Sequence, residues 1–293
     1  MTGPATPAAD STVPVAPMLS MFDPIYVGIN EFGHPACIRV IYKNLLAAGQ
    51  PGGGKSGLMN TLTAHAALSA LARLVLFDGK QVELGMWDDI ADEFVGPDLD
   101  HAITTLRRLQ KVMDNRYLWL RAHRRRKIDP TDRISVILAV FDEIALYSTV
   151  LGTEQQQREF VALFRDLVAR GRAAAMPVIA ATQRPSVDII PKSVRDLFGY
   201  RAAFRCTSTG SSNIILGDGW SEAGFDATTI SPVNPGVAYL IAEGGVPQKI
   251  KAAYLTDEHI IALADHAAWT RRTPTPQAPA TTPAITPATA HVA

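Results

Sequence analysis

"LLAAGQPGGGKSGLM" spans Leu45 to Met59, and its reading decides the fold. Leu45, Leu46, Ala47 and Ala48 form an apolar, strand-like run. Glycines, a lysine and a serine follow, and then the pattern turns helical. The segment Gly49, Gln50, Pro51, Gly52, Gly53, Gly54, Lys55, Ser56, continued by Gly57, has the spacing of a P-loop. Its glycines let the backbone curl so that successive N–H groups face phosphates. On this reading Lys55 reaches the β- and γ-phosphates of a nucleotide, and the Ser56 hydroxyl ligates Mg²⁺. The N-terminus of the helix that follows adds partial positive charge at the same place. So short a spacing also occurs in ordinary glycine-rich turns. Its position between a strand and a helix is what gives it meaning.

A second element is "VILAVFDEI" at Val136–Ile144. Six apolar residues lead to Asp142, which therefore stands at the carboxyl end of a buried strand, where α/β sheets bind ligands. There it can hold Mg²⁺ through water, and Glu143 beside it is the natural base for activating a water. A third element is "VIAATQRPS" at Val178–Ser186. Thr182 and Gln183 end another buried strand, and the Gln183 amide is placed to sense a γ-phosphate. Simple capping of a strand end is the plainer alternative.

Outward from these elements, apolar runs alternate with helical patterns. "PIYVGI" and "ACIRVIY" predict a short N-terminal hairpin, and Lys55–Leu71 a helix. "RLVLFDG" predicts a strand. From Leu99 to Arg121 the apolar positions fall three or four apart, which predicts a long helix. A second amphipathic helix carries Phe160, Leu163, Phe164, Leu167 and Val168. Strands are predicted at "YRAAFRC", "GVAYLI" and "QKIKAAYL", and a closing helix from Asp257 to Trp269. Continuously apolar strands alternating with helices predict an α/β fold with a mostly parallel sheet covered on both faces. The Pro-, Ala- and Thr-rich ends, 1–21 and 272–293, are expected to be disordered, leaving 22–271 as the folded domain.

Composition narrows the function classes. Of 293 residues, 47% are hydrophobic and 19% charged, as in globular domains with a sizeable core. Lys+Arg 28 balances Asp+Glu 28, so any nucleic-acid contact must come from a local patch. Cys37 and Cys206 are too few for a disulfide framework and are expected to be buried; a reducing, cytoplasmic setting fits. No signal peptide and no run of about 20 apolar residues is visible. Any membrane association would then come through a partner. The histidines show no metal-ligand spacing, and the four tryptophans are expected to pack.

Beyond the P-loop, the sequence resembles the FtsK/SpoIIIE family of DNA translocases. "LFDGKQVEL" is similar to the family's Asp-Pro-Lys-x-x-Glu-Leu segment, with Asp78, Lys80, Glu83 and Leu84 matching and Gly79 in place of proline. "MDNRY" at Met113–Tyr117 resembles its Met-Glu-x-Arg-Tyr helix. "GRAAAMPVIAATQRPSVDII" at Gly171–Ile190 is close to its Gly-Arg-Ala…Ala-Thr-Gln-Arg-Pro-Ser-Val-Asp signature. The resemblance covers about Asp23 to Leu255. In size it looks most like the short transfer proteins of actinobacterial conjugative plasmids and integrative elements, the TraB and TraSA kind.

The resemblance implies a RecA-like ATPase motor, working as a homo-hexamer around double-stranded DNA, with ATP and Mg²⁺ as cofactors. It implies pore contacts by Lys192 and Arg195 in "IIPKSVRD", and a second pore loop around Thr149–Arg158. A ring ATPase needs an arginine from the neighbouring subunit; Arg158, Arg170, Arg172 and Arg201 are candidates. Asn213 stands where the family has an arginine, so that arginine's role is not carried over to this sequence. No stretch resembles the family's winged-helix domain, so sequence-directed movement is not expected. "RAHRRRKI" at Arg121–Ile128 reads equally as a DNA patch or as helix-dipole complement. Two other functions stay open: a single-strand or defence-system translocase on the same fold, and a P-loop ATP switch that binds a partner without pumping DNA. Glu143 argues against the switch, which has little need of a water-activating base.

Overall fold

The structure, a computed structural model, describes residues 19–189 and 191–272. The expected disordered tails lie outside the described residues except at their inner ends, as does Ile190. Ten strands form a single sheet: β1 (Ile25–Asn30), β2 (Pro35–Ile38), β3 (Leu45–Ala48), β4 (Ala72–Phe77), β5 (Glu93–Val95), β6 (Val136–Phe141), β7 (Val178–Thr182), β8 (Tyr200–Phe204), β9 (Val237–Ala242) and β10 (Gln248–Ala252). Their order is β2-β1-β10-β9-β8-β3-β7-β6-β4-β5. From β8 to β5 the neighbours run parallel. The β8–β9, β9–β10, β10–β1 and β1–β2 pairs are antiparallel. The predicted hairpin is thus the edge of an antiparallel wing.

The central strands are buried on both faces, which is why they read as unbroken apolar runs. In β6, Val136, Leu138 and Val140 enter one core while Ile137, Ala139 and Phe141 enter another. The first core lies under α1 (Lys55–Ala67) and α6 (Asp257–Arg272). The second lies under α2 (Leu99–Ala122) and α3 (Glu154–Arg170). It is rich in aromatic rings: Phe77 stacks on Phe141 at 4.1 Å, and Phe160 on Tyr147 at 5.4 Å. Two further helices, α4 (Lys192–Arg195) and α5 (Thr209–Leu216), flank β8.

Two of the family-like segments prove to be framework. In the first, Arg116 on α2 donates to the carbonyls of Ala174 at 2.6 Å, Ala175 at 3.2 Å and Ser135 at 2.7 Å. In the same segment, the Tyr117 hydroxyl donates to the Arg170 carbonyl at 2.7 Å. So "MDNRY" clamps the turn "GRAAA" and the approach to β6. Burial lowers the Arg116 pKa to about 10 and still leaves it charged at neutral pH. Replacing Arg116 by Met should orphan the Ala174 and Ser135 carbonyls, while Ala175 keeps its bond from Ile137 N–H, and destabilise the fold by about 2–4 kcal/mol. A thermal melt should show a Tm lower by about 5–10 °C; an unchanged melt would mean the clamp is dispensable.

Several expectations are corrected. α1 stops at Ala67, not Leu71, where Arg271 donates to the Ala66 and Ala67 carbonyls and β4 must begin. The segment Thr149–Arg158 is not an open loop. It ends a π-type turn (Leu146–Val150), and a capping box between Thr153 and Gln156 then starts α3. Cys37 is exposed, because it points outward from the edge strand β2; Cys206 is buried. Trp87 is fully buried and donates to Asn60 at 2.8 Å, whereas Trp269 is 70% exposed. No described helix is long and apolar enough to cross a membrane.

Candidate nucleotide site

The P-loop lies at the carboxyl end of β3 and leads straight into α1. It is held by backbone bonds from both neighbouring strands: Gly49 N–H donates to Thr182 at 3.3 Å, and Gln50 N–H to Arg205 at 2.8 Å. Gly54 has φ +107°, and a Cβ there would lie 2.4 Å from the Gly236 backbone. Only glycine fits, because the antiparallel wing closes on the loop from behind, with Gly236 N–H donating to the Gly53 carbonyl at 2.8 Å. Gln50, Pro51, Gly52 and Gly53 complete the curve, and Ser56 and Gly57 open the helix.

Lys55 is buried, and its Nζ donates to the carbonyls of Gly49 at 2.8 Å and Gln50 at 2.9 Å. Burial pulls its pKa down, and Glu143 and Asp142 oppose that pull. The two acids sit just past β6, as the sequence predicts, and both are buried. Burial pushes the Asp142 carboxyl up to about 7, with Asp78 and Glu83 adding to the shift. Its Oδ2 is enclosed without a hydrogen-bond partner. Such an orphan is costly unless something positive completes it.

Glu143 is fastened at both oxygens. Oε1 accepts from Ala145 N–H at 3.2 Å, and Oε2 accepts from Gln183 N–H at 2.8 Å. The strand ends of β6 and β7 are therefore joined through the carboxylate itself. Asp78, the first residue of the "DGKQVEL" match, has a different task. Fully buried, it accepts from the N–H groups of Lys80, Gln81 and Leu84, at 3.0, 2.9 and 2.8 Å, and folds the loop that brings Glu83 to the site. Gly79 replaces the family's proline where a Cβ would lie 1.9 Å from Leu146 Cδ2. A cleft of about 640 Å³ unites Pro51, Gly52, Lys55, Ser56, Glu83, Asp142 and Gln183 with residues of the wing. That size suits a small ligand.

The predicted arginines are not brought here. Arg158 is exposed on α3 and pairs with Glu154 at 3.2 Å. Arg170 pairs with Asp114 and Asp166. Arg172 donates through Nε to the Tyr42 carbonyl at 2.5 Å and pairs with Glu243 at 3.3 Å, near the amino end of β3. The Arg201 side chain, half-buried near Gly217, makes no hydrogen bond or ion pair among the described residues, and burial lowers its pKa. Sequence reasoning passed over Arg205. It follows β8 at the P-loop end and lines a second hollow with Gln50, Pro51, Gly52 and Gly53.

The expected DNA contacts divide. Lys192 is exposed at the start of α4. Arg195 is buried: it pairs with Asp196 at 3.2 Å and donates to the carbonyls of Asn213 at 3.5 Å and Ile214 at 3.1 Å. It neutralises the carbonyl end of α5, so a phosphate contact by Arg195 does not fit this arrangement. The basic run is mixed: Arg125 is tied to Asp129 and Asp132, while Arg121, Arg124 and Arg126 are exposed.

A phosphate-binding loop after a central parallel strand, with acids ending the strand two places along, defines a P-loop NTPase. Residues 23–218 match the FtsK/SpoIIIE family profile, and the chain belongs to that family, carrying its P-loop ATPase domain. It is 29% identical over 250 residues to the DNA translocase FtsK of Corynebacterium glutamicum, an alignment covering 76% of this chain and 26% of that protein. Against FtsK of Haemophilus influenzae it is 28% identical over 284 residues, covering 83% and 51%. The chain thus spans from a quarter to a half of these relatives. Its fold superposes on the ATPγS-bound monomer form of the pCW3 conjugation coupling protein TcpA with TM-score 0.73 and 19% identity, over 84% of this chain and 70% of that one. The Type VII secretion ATPase EccC of Thermomonospora curvata gives TM-score 0.66 at 20% identity, over 85% and 31%.

Proposed function

We propose that this chain is an ATP-hydrolysing motor that moves double-stranded DNA as a homo-hexamer, in the cytoplasm, in conjugative transfer with a membrane-associated partner. The observation that carries the motor reading is the Glu143 carboxylate, held against Gln183 N–H at 2.8 Å. A base placed there takes a proton from a water as its oxygen attacks the γ-phosphorus and ADP leaves. The same carboxylate is bonded to the strand end that continues into the Lys192 segment, so hydrolysis and that segment share a link.

Lys55 and the loop N–H groups bind the phosphates, and Gln183 faces the γ-phosphate. The buried, partnerless Asp142 Oδ2 fits a divalent cation, and the Ser56 hydroxyl lines the same cleft. These two would hold Mg²⁺, which supplies charge neutralisation to the phosphates. For the trans arginine we favour Arg201 over Arg158, Arg170 and Arg172, since it alone of the four makes no side-chain hydrogen bond or ion pair among the described residues. Lys192 supports a contact with DNA phosphates, which positions DNA without reading sequence.

The test is ATPase turnover with duplex DNA, single-stranded DNA and no DNA, for wild type and Lys192→Ala. Duplex should stimulate most. Lys192→Ala should keep the basal rate and flatten the salt dependence of duplex binding by about 0.9 log–log units if the lysine neutralises one phosphate. Stimulation by single strands alone would move the substrate, and no stimulation by either would favour an ATP switch.

A further inference from the structure

We propose that Tyr254 is the nucleobase platform of the ATP cleft, stacking a purine ring on its exposed face; the proposal rests on the nucleotide reading of the P-loop. Sheet order divides the cleft. Asp142 and Gln183 follow β6 and β7, on one side of β3. Lys251, Ala252, Ala253 and Tyr254 end β10 and follow it, on the other side. The P-loop lies between. With the hydrolytic groups on the β6–β7 side, the rest of the nucleotide extends toward the wing.

Tyr254 is the only aromatic residue among those lining this cleft. It is 75% exposed and has no ring or hydrogen-bond partner among the described residues. A single exposed aromatic is ordinary on a surface. Here, however, the ring lies beside Gly57, one residue past Ser56 of the loop. A Cβ on Gly57 would stand 3.6 Å from Tyr254 Cδ2 and 3.2 Å from the Ala253 carbonyl. The bare glycine lets the ring's backbone approach the first turn of α1.

The platform is also wired to the loop. Gly236 N–H donates to Gly53, Ala252 N–H to Gly236, and Ala253 N–H to Val27, each at 2.8 Å. The backbone carrying Tyr254 thus moves with the phosphate cradle. An exposed ring on a fixed backbone offers a base a π-face with little ordering cost, and larger purine rings gain more from it than pyrimidines.

The test measures binding of ATPγS and of inorganic tripolyphosphate, each with Mg²⁺, to the full chain and to Tyr254→Ala and Tyr254→Phe. Tyr254→Ala should weaken ATPγS by about 10-fold, the scale of one base stacked on one ring. Tripolyphosphate, which has no base, should bind as before, and Tyr254→Phe should keep wild-type affinity for both. Wild type should prefer ATP over CTP, and Tyr254→Ala should narrow that preference. Equal losses for ATPγS and tripolyphosphate would overturn the proposal, since Tyr254 would then be supporting the loop. Unchanged ATPγS binding would overturn it too. Failure of the wild type to bind either probe would instead refute the P-loop reading beneath it.

Discussion

Lys55→Ala should weaken ATP binding by at least about 100-fold, the scale of removing a charge-assisted hydrogen bond to phosphate in a buried site, and should abolish hydrolysis. The fold should survive. The lysine is buried, and burial already lowers its pKa, so the ammonium is held there at an electrostatic cost. Removing it relieves that cost and gives up two bonds, to the Gly49 and Gln50 carbonyls. Those effects oppose each other, and the melting temperature without nucleotide should move by no more than about 3 °C. Ligand-induced stabilisation should vanish, because a ligand that no longer binds cannot shift the melt. Lys55→Arg should not rescue. Its planar fork cannot enter the space between two carbonyls that a compact ammonium fills. Calorimetry with ATPγS and a thermal melt decide the matter. Wild-type affinity in Lys55→Ala would remove the P-loop assignment and everything built on it.

Much of this site is legible in the sequence because short-range chemistry dictates it. The P-loop is a local backbone shape, so its residues read directly. Asp142 and Glu143 read because six apolar residues leave a strand nowhere to run but through the core, and its end must then emerge at the ligand edge. What could not be read depends on which distant surface a side chain meets. Arg195 looks like a free cation in "KSVRD", yet α5, which begins fourteen residues later, supplies carbonyls that draw it inward. Cys37 follows an apolar pattern, but an edge strand has only one covered face. The strand β5 is three residues long and carries Glu93, too brief for any periodicity. Tyr254 belongs to no motif. Its place depends on β10 lying across the sheet from the strands that carry the acids, a fact of topology alone. The family-like "MDNRY" and "GRAAA" segments show the converse. They are specific in sequence, but their arginine and tyrosine secure a turn far from the chemistry.

Glu143→Gln should leave ATP binding within a few-fold of wild type and lower turnover by about 10²–10⁴-fold, the usual contribution of a positioned general base. The substitution keeps the shape of the side chain and removes the group that accepts the water's proton. Geometry makes it a clean test. The amide oxygen can still accept from Gln183 N–H, the shorter of the carboxylate's two bonds at 2.8 Å. The amide NH₂ must then face Ala145 N–H, which now has no acceptor where it had one at 3.2 Å. That mismatch should cost about 1 kcal/mol of stability, far too little to explain the lost turnover. Glu143→Ala separates the two roles of the carboxylate. It should lose turnover equally and also release the β7 end, seen as faster hydrogen exchange at Gln183 N–H, which Glu143→Gln should leave protected. In both variants a bound ATP should persist, so that nucleotide recovered from the protein after incubation is ATP and not ADP. Recovery of ADP at the wild-type rate from Glu143→Gln would place the base elsewhere in the cleft, with Glu83 the next carboxylate to replace.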